Sequence, residues 1–438
     1  MRFSRMCSTR WPSATGRIMV DARPANKTYC EALEIVLSHA APLGSEDVAL
    51  RELAGRALSE AVHAPFDIPL FDNSAVDGYA IGAEAVEELI SKGNVRLDVA
   101  GSIAAGDSEN HVLEPGQSYR IFTGARVPAG CFAVIMQEDA DCQDGQVALG
   151  GNASDGMNIR RRGDECRVGD VLIEPGCLLG PGAVALIAEC GLERVKVSRL
   201  PTVGILATGS ELTQPGEELK AGAIYESNSF GLRAAFQEAG IVDLRMEHVQ
   251  DDLEGTQRSL DELLNQCDIV VTAGGVSVGD HDLVRGCLSI LQVEEQVWGV
   301  RLKPGKPFYF GTPRSERRCR AVFGLPGNPL SALVTAQLFV WPYLRKTLGM
   351  SRLIGSTVTA QLSRSIHKHT DRLEFVPGML SWGEEGVHFE PTLKRGSHML
   401  SGFSCSNALG MFPIESMEMK AGSNIETMMI RWGLKIDV

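Results

Sequence analysis

The stretch "TAGGVSVGDHD", residues 272–282, begins with the last two residues of the apolar run "DIVVTA", residues 268–273. A short apolar run of this kind is typical of a buried strand. Two adjacent glycines, Gly274 and Gly275, follow the run, and after a third, Gly279, the stretch ends on Asp, His and Asp. Glycine lacks the Cβ that would keep an anion away from backbone N–H groups. The pattern therefore predicts a strand, a turn shaped for phosphate, and acidic side chains after it.

Strands and helices alternate on both sides of this stretch. Apolar runs typical of strands alternate with segments of helical periodicity from residue 200 to residue 350. The strand-like runs are "TVGILAT" (202–208), "VDLRMEHV" (242–249), "KPFYFG" (306–311) and "CRAVFGL" (319–325). The helical segments are 229–240, 252–267, a segment from about 282, and 328–344. This order predicts a three-layer α/β/α domain with a mostly parallel sheet, in which ligands bind beyond the carboxyl ends of the strands.

The remaining chain has a different texture. Residues 29–40 and 48–58 have the apolar spacing of two amphipathic helices, whereas residues 61–165 and the chain after 351 form short alternating runs separated by turns. The expected architecture is an elongated helical N-terminal domain, a β-rich inserted domain, the α/β domain and a small C-terminal β-barrel. The predicted boundaries are an N-terminal extension (1–28), the elongated domain (29–60 and 166–199), the insert (61–165), the α/β domain (200–350) and the C-terminal domain (351–438).

Length and composition limit the possible functions. A chain of 438 residues exceeds one hydrophobic core, and its net charge of −13 offers no general basic surface for nucleic acid. Its 11 cysteines are scattered without a C-x-x-C pair, which indicates reduced thiols and a cytoplasmic protein. Every apolar stretch is too short to span a membrane. Residues 1–18 carry four arginines and no acid, and we expect a disordered extension or a mis-assigned start there.

Three glycine-bearing loops should meet at one edge of the predicted sheet. They are "ATGSEL" (207–212), the opening stretch, and "GLPGNPLS" (324–331), and each follows a predicted strand. Any one of them could be an ordinary tight turn with a helix-capping side chain. Three such loops together favour a phosphate site, because glycines expose N–H groups and helix starts carry partial positive charge.

A cationic loop lies nearby in "GVRLKPGKP", residues 299–307. Lys303 and Lys306 flank Gly305, an arrangement that suits an oxyanion, although solvated lysines are the alternative. The segment is not a nucleotide-triphosphatase loop, because five residues separate its glycines and Pro307 stands where a serine or threonine must hold magnesium.

Acidic residues crowd the same loops. Glu211, Asp251 and Asp282 would repel a phosphate unless a hard cation lies between them, and Mg²⁺ is commonly held by one or two carboxylates plus phosphates. A magnesium site is therefore expected. Helix capping and surface exposure are the alternative, which fits Asp252 and Asp280 better. The "HKH" run at 367–369 is interpreted as surface histidines rather than a zinc site.

Taken together, these motifs resemble one family. "FDNSAVDGYA", "FTGA", "NIRRRG", "ATGSEL", "GGVSVGDHD", "KPGKPF", "GLPGNPLS" and "RGSH", in this order, are similar to the molybdopterin molybdenumtransferases, known as MoeA in bacteria and as the E domain of gephyrin in animals. The likeness runs from Tyr29 to the C-terminus. It implies insertion of molybdate into adenylated molybdopterin, with Mg²⁺-assisted release of AMP, by a cytosolic homodimer. Molybdopterin adenylyltransferase and acceptor molybdoenzymes are further partners that it suggests.

The resemblance also assigns roles to residues that match the family's motifs. Asp77 and Thr123 would be partner-subunit contributions to the cleft, and Glu211, Asp251 and Asp282 would be the acidic, magnesium-associated set. The predicted contacts to the pterin phosphate or nucleotide are Gly274, Gly275, Ser277, Asn328 and Ser331. The predicted molybdate pocket consists of Lys303, Lys306, Arg372 and Ser397. Asp282, Glu211, Asp77, Lys303 and Lys306 are the expected catalytic residues.

Two alternatives and one departure stay open. Molybdopterin adenylyltransferase resembles the α/β domain and shares its glycine loop, but the length and the two additional β domains argue against it. A non-enzymatic scaffold of the same family is disfavoured by the complete set of acidic and basic residues. In the arginine loop the family has Gly-x-Asp, whereas this chain has Gly163, Asp164 and Glu165, so either acid could take the family role.

Overall fold

The computed structural model describes residues 27–276, 283–314 and 316–430. The chain forms two compact units. The first comprises residues up to Ser59, Pro175–Gly182 and the chain from Arg194, and the second comprises Glu60–Glu174 and Ala183–Glu193. Within the described ranges, no helix has the length and apolar character needed to cross a membrane.

A six-stranded mixed sheet lies at the centre of the first unit. From one edge to the other its strands are Leu244–Val249, Val203–Thr208, Ile269–Ala273, Ala321–Leu325, Tyr309–Pro313 and Val293–Trp298. The first four are parallel neighbours, and Tyr309–Pro313 pairs antiparallel on both sides. The carboxyl ends of the parallel strands therefore lie along one edge, as the order of elements predicts.

The strands carry apolar side chains on both faces, so each face forms a core. Ile205 and Val271 pack in one cluster with Phe236, whereas their neighbours Leu206 and Val270 pack in the other. Complete burial of one such side chain stabilises the fold by about 1.5–3 kcal/mol. Helices that contribute to the first cluster are Tyr29–Ser38, Asn228–Glu238, Pro329–Thr335 and Trp341–Thr347, the last two joined by a π-helical segment, Ala336–Val340. Helices of the second cluster are Leu253–Gln266 and Leu283–Ile290.

One sequence-based expectation fails near the N-terminus. The first helix, Tyr29–Ser38, begins at a capping box between Thr28 and Glu31. The second helix expected at 48–58 is wrong. Residues Ser45–Ala49 form a strand paired antiparallel with Arg194–Ser198, and a single 3₁₀ turn, Leu50–Glu52, follows. The apolar spacing arose from Val48, which is buried in this strand, and from Leu53, Ala57 and Leu58, which are buried after the turn.

A closed five-stranded barrel forms the C-terminal part of the first unit. Around the ring its strands are Leu373–Gly383, Gly386–Pro391, Thr357–Leu362, Asn424–Met429 and Ala408–Phe412, the last of which pairs back to the first. The ring of Phe389 fills the interior, and a Cβ at Gly378 or Gly410 would lie 2.5 Å from it. The predicted C-terminal barrel is confirmed.

The second unit contains another six-stranded mixed sheet. Its order is Ala133–Met136, Gly78–Ile81, Gln117–Ile121, Asn94–Ile103, Gln146–Gly150 and Ala140–Gln143. Helix Ala83–Lys92 packs on this sheet and ends at Gly93, whose φ of +76° is the left-handed conformation common at helix ends.

The remaining elements of the chain are short. Pairs of small strands are Asn73–Ser74 with Ile159–Arg160, Val62–His63 with Val171–Ile173, Leu212–Thr213 with Ile224–Tyr225, and Ile366–His367 with Glu418–Met419. Strand Leu302–Lys303 pairs with the barrel strand Leu373–Gly383. Helices Pro181–Glu189 and Leu400–Phe403 and the 3₁₀ turn Gln137–Asp139 complete the described elements.

Candidate active site

A cavity of about 640 Å³ lies in the first unit, between loops of the α/β domain and the C-terminal barrel. Six predicted site residues line it: Lys303, Lys306, Asn328, Ser331, Arg372 and Ser397. Three separate sequence motifs and the strand entering the barrel therefore converge on one space.

The lysine loop reaches the cavity through strand pairing and a close glycine contact. Leu302–Lys303 pairs in parallel with Leu373 and Glu374 at the start of a barrel strand. Gly305 has a φ of +111°, and a Cβ there would lie 2.3 Å from Cγ2 of Thr335. Only glycine allows this loop to lie so close to the helical segment, which holds the two lysines in place.

The cavity is predominantly cationic. Five cationic side chains line it: Lys303, Lys306, Lys368, Arg372 and Arg395. Among the described lining residues Glu374 is the one carboxylate, and its Oε2 lies 3.2 Å from Nζ of Lys303. Ammonium and guanidinium groups around a largely uncompensated space suit a multiply charged oxyanion.

Two polar side chains connect the walls of the cavity. Nδ2 of Asn328 donates to Oγ of Ser397 at 3.1 Å, and the N–H of Leu330 donates to the Ser397 carbonyl at 3.1 Å. Asn328 precedes helix Pro329–Thr335 without capping it, and Ser331 is buried in the first turn. These hydrogen bonds thus join the loop "GLPGNPLS" to the "RGSH" loop in the cavity wall.

Sequence reasoning missed part of this wall. His367 and His369 are exposed and line the cavity, and Lys368 between them is buried. The interpretation of both histidines as surface residues agrees with their exposure. The alternation of a strand, which turns successive side chains to opposite sides, was the available signal for the buried lysine.

The acidic and glycine loops meet at the carboxyl edge of the sheet. Asp251 and Ser210 exchange two hydrogen bonds: the Ser210 N–H donates to the Asp251 carboxylate at 3.1 Å, and the Asp251 N–H donates to Oγ of Ser210 at 3.0 Å. Glu211 follows Ser210, and the Glu211 and Asp251 side chains are exposed. The first loop and the end of strand Leu244–Val249 therefore place two carboxylates in neighbouring segments.

The glycine turn lies beside them and against the third loop. Gly274 and Gly275 have φ values of +97° and +67°, and a Cβ at Gly274 would lie 2.8 Å from the carbonyl oxygen of Thr208. The buried hydroxyl of Thr208 has no hydrogen-bond partner among the described residues, and sequence reasoning did not identify it. A Cβ at Gly327 would lie 3.7 Å from Cα of Gly274. Ser277, Asp280, His281 and Asp282 lie outside the described residues.

The donor set fits a magnesium ion that also binds phosphate. Within the described ranges no group of three acidic, histidine or cysteine side chains forms a complete metal site. Glu211 and Asp251 supply two exposed carboxylates, and Mg²⁺ takes one or two carboxylates and completes its shell with water and substrate phosphate.

Asp77 and Thr123 lie together in the second unit. Oδ1 of Asp77 accepts hydrogen bonds from the N–H of Thr123 at 2.8 Å and from its hydroxyl at 2.7 Å. The hydrogen bonds from the Thr123 backbone and side chain lower the pKa of Asp77, with a smaller contribution from Arg120, against the effect of burial. The two motifs "VDGYA" and "FTGA" are therefore joined by two hydrogen bonds that favour the ionised form of Asp77.

The arginine loop of the second unit is held by acids. Arg161 pairs with Asp72 at 2.8 Å and Arg162 with Asp67 at 2.7 Å. The Asp164 carboxylate accepts the N–H of Arg161 at 2.6 Å, so this acid closes the turn.

A glycine turn and carboxylates at a sheet edge suit a phosphorylated, cation-bound ligand, and the cationic cavity suits an oxyanion. Fold and site thus fit the class of multidomain α/β proteins with a cavity suited to anionic ligands. Comparison with known proteins narrows this class. Three family models match in succession: the MoeA N-terminal region (domains I and II) over residues 27–191, a probable molybdopterin-binding domain over 204–346, and the MoeA C-terminal region (domain IV) over 359–430.

Whole proteins are similar over nearly the full chain. The chain is 34% identical to a molybdopterin molybdenumtransferase of Haemophilus influenzae, over 88% of this chain and 93% of that protein. It is 32% identical to molybdopterin molybdenumtransferase 2 of Mycobacterium tuberculosis, over 86% and 93%. The crystal structure of a MoeA molybdopterin biosynthesis protein from Pyrococcus horikoshii superposes with a TM-score of 0.80 at 31% identity, over 92% of this chain and 100% of that one.

The chain belongs to the molybdopterin molybdenumtransferase family, a family of transferases in molybdenum cofactor biosynthesis. The predicted family, function and enzyme class are confirmed at this level. The adenylyltransferase alternative is not favoured, because the N-terminal and C-terminal family models match as well as the central domain.

Proposed function

We propose that this chain inserts molybdate into adenylated molybdopterin and releases AMP. The observation that carries the proposal is the convergence of Lys303, Lys306, Arg372 and Ser397 on one cationic cavity. Molybdate is a dianion of a size that such a cavity admits, and the protein as a whole is acidic. Local cations must therefore attract and hold molybdate. Two opposite unit charges 4 Å apart attract each other by about 1 kcal/mol in water and by about 4 kcal/mol near a protein surface.

In this proposal, side chains and backbone N–H groups of the chain bind and orient molybdate and a phosphate of the substrate. Lys303 and Arg372 would neutralise molybdate inside the cavity, and Lys306, which is exposed at the rim, would attract it from solvent. Backbone N–H groups of the turn at Gly274 and Gly275 would hold a phosphate. Fixed N–H groups and cations of this kind stabilise the charge that develops as the phosphoanhydride breaks.

Mg²⁺ is part of the proposal and rests on the donor set described above. Glu211 and Asp251, with Asp282 outside the described residues, would hold the ion against the phosphates. When bound, the ion supplies positive charge that offsets the repulsion between carboxylates and phosphate. The exposed carboxylates of the first two residues are free to meet such a ligand.

The assembly is also proposed. Asp77 and Thr123 would complete the cleft of a second copy in a cytosolic homodimer, with molybdopterin adenylyltransferase and acceptor molybdoenzymes as further partners. The α/β/α layering, the elongated N-terminal domain and the four-domain division stay predictions, as does the choice between Asp164 and Glu165.

The test replaces both loop lysines. Lys303→Ala with Lys306→Ala should lower kcat/KM for molybdate in AMP release by at least about 100-fold, because the loss of two charge-assisted contacts costs roughly 3–6 kcal/mol in total. A matched control replaces two exposed lysines outside the cavity, Lys92→Ala with Lys420→Ala, and should keep the wild-type rate. Unchanged molybdate-dependent AMP release in the first variant would show that the cavity assignment is wrong. If the wild-type chain itself released no AMP, the non-enzymatic scaffold would be the better explanation.

A further inference from the structure

Lys368 is a buried lysine in the wall of the cavity that the proposed function leaves without a role. Its side chain lines the cavity, yet the residue is only 3% exposed. Burial lowers the pKa of this ammonium, and nearby Glu374 acts in the opposite direction. A buried charge is costly unless it has close partners, so the contacts of Lys368 indicate what it does.

The ammonium connects two segments of the C-terminal domain. Its Nζ donates to the carbonyl oxygen of Arg372 at 3.0 Å and to the carbonyl oxygen of Pro413, and it lies 4.9 Å from the ring centroid of Phe412. Arg372 precedes one barrel strand, and Phe412 ends the neighbouring one. Lys368 therefore fastens the backbone at Arg372 to the end of the barrel.

The same backbone position determines where two cavity cations lie. Nη1 of Arg372 donates to the carbonyl of Leu302 at 3.2 Å, and Leu302 pairs with Leu373 in the adjoining strands. Lys303 follows Leu302 and contacts Glu374. Movement of the Arg372 backbone would therefore shift the guanidinium directly and would disturb Lys303 through the paired strand.

We propose that Lys368 is a positioning residue, which holds the Arg372 backbone so that the Arg372 guanidinium faces the bound oxyanion. Lys368 acts through Arg372, because two of the three N–H donors of its ammonium are directed to the carbonyl oxygens of Arg372 and Pro413 and the ammonium lies over the Phe412 ring. The proposal rests on the proposed function, in which the oxyanion is molybdate.

The test is a double-mutant cycle in which isothermal titration calorimetry measures the Kd for molybdate with the full-length chain. Lys368→Met removes the donors and retains an unbranched side chain. It should raise the Kd for molybdate about 10-fold in the wild-type background and less than 2-fold in an Arg372→Ala background. If the effects of the two substitutions multiply, Lys368 acts independently of Arg372 and the proposal is wrong.

Two further variants separate positioning from a general loss of structure. Lys346→Met removes a comparable bond, from Nζ to the carbonyl of Leu37 at 2.7 Å, outside the cavity lining, and should leave the Kd for molybdate unchanged. Lys368→Gln retains one amide donor and should raise that Kd by about 3-fold. If Lys368→Met does not fold, wild-type affinity in Lys368→Gln would overturn the proposal.

Lys303→Ala in the same titration separates this proposal from the proposed function. If the Kd for molybdate is raised in Lys303→Ala but unchanged in Lys368→Met, only the positioning role of Lys368 is contradicted. An unchanged Kd in Lys303→Ala contradicts the cavity assignment itself.

Discussion

The two ends of the central sheet carry acidic residues in opposite environments. At the amino end of strand Ile269–Ala273, Asp268 is 2% exposed and accepts hydrogen bonds from both terminal nitrogens of Arg199, at 2.8 and 2.9 Å. At the carboxyl edge, Glu211 and Asp251 are exposed, and neither pairs with a lysine or arginine among the described residues. A carboxylate whose charge is balanced by an arginine stabilises the sheet. A carboxylate without such a partner leaves its charge available to a ligand. Electrostatic partners therefore distinguish a structural acid from a candidate functional acid in the same sheet.

The largest expected effect follows from removing the charge at the amino end. Asp268→Asn should lower the free energy of unfolding by about 3 kcal/mol, because it removes the buried charge that pairs with Arg199, while solvent at the one-third exposed Arg199 side chain offsets part of the loss. Urea denaturation followed by circular dichroism measures this loss. Asp251→Asn, the matched change at the carboxyl edge, should cost less than about 0.5 kcal/mol. Equal losses in the two variants would contradict the distinction.

A smaller effect is expected from acid. Burial raises the pKa of Asp268, but hydrogen bonds from Arg199, Thr202 and Arg318 outweigh it and lower the pKa to about 2. Since the folded pKa lies below the unfolded one of about 4, the stabilisation is present above pH 4 and is lost as the pH falls towards 2. Wild-type stability should therefore fall by about 2 kcal/mol more than that of Asp268→Asn over this range. Parallel pH profiles of the two proteins, from thermal unfolding, would exclude a role for this pair.

The smallest effect on stability, with a specific effect on activity, is expected at the carboxyl edge. Glu211→Gln should raise the Mg²⁺ concentration for half-maximal AMP release about 10-fold, since it removes one of the few negative charges that hold the ion. Its unfolding midpoint and its Kd for molybdate should match the wild type. Glu218→Gln, a change at another exposed acid of the same segment, is the control. A similar shift in the control would indicate a general electrostatic effect.

The features that were predicted from sequence depend on local patterns. Buried strands such as Ile269–Ala273 are continuous apolar runs, and the turn at Gly274 and Gly275 is marked by its glycines. The failed helix at 48–58 shows the limit of the same reasoning. Buried side chains in a strand and directly after a 3₁₀ turn there, including Val48 and Leu53, have a spacing that also suits a helix.

Other features depend on contacts between distant segments. Lys368 and Arg395 were missed as cavity cations, because strand alternation indicates at most that Lys368 is buried, whereas the position of both residues at the cavity follows from the docking of the barrel on the α/β domain. The pairing of Lys303 with Glu374 joins residues 71 positions apart. For Ser277 and Asp282 the sequence-based assignments stay predictions.

The strand Leu373–Gly383 restricts how the length of this chain can vary. It pairs with Leu302–Lys303 at its start and with Gly386–Pro391 at its end. The number of residues between the two pairings is therefore fixed by both registers. One residue inserted between Glu374 and Gly378 would turn Glu374 to the opposite face and away from Lys303. Two inserted residues would restore the face but displace the carboxylate by about 7 Å. Insertions and deletions compatible with the cavity are therefore expected at the exposed turn after Gly383 and not within the first half of the strand.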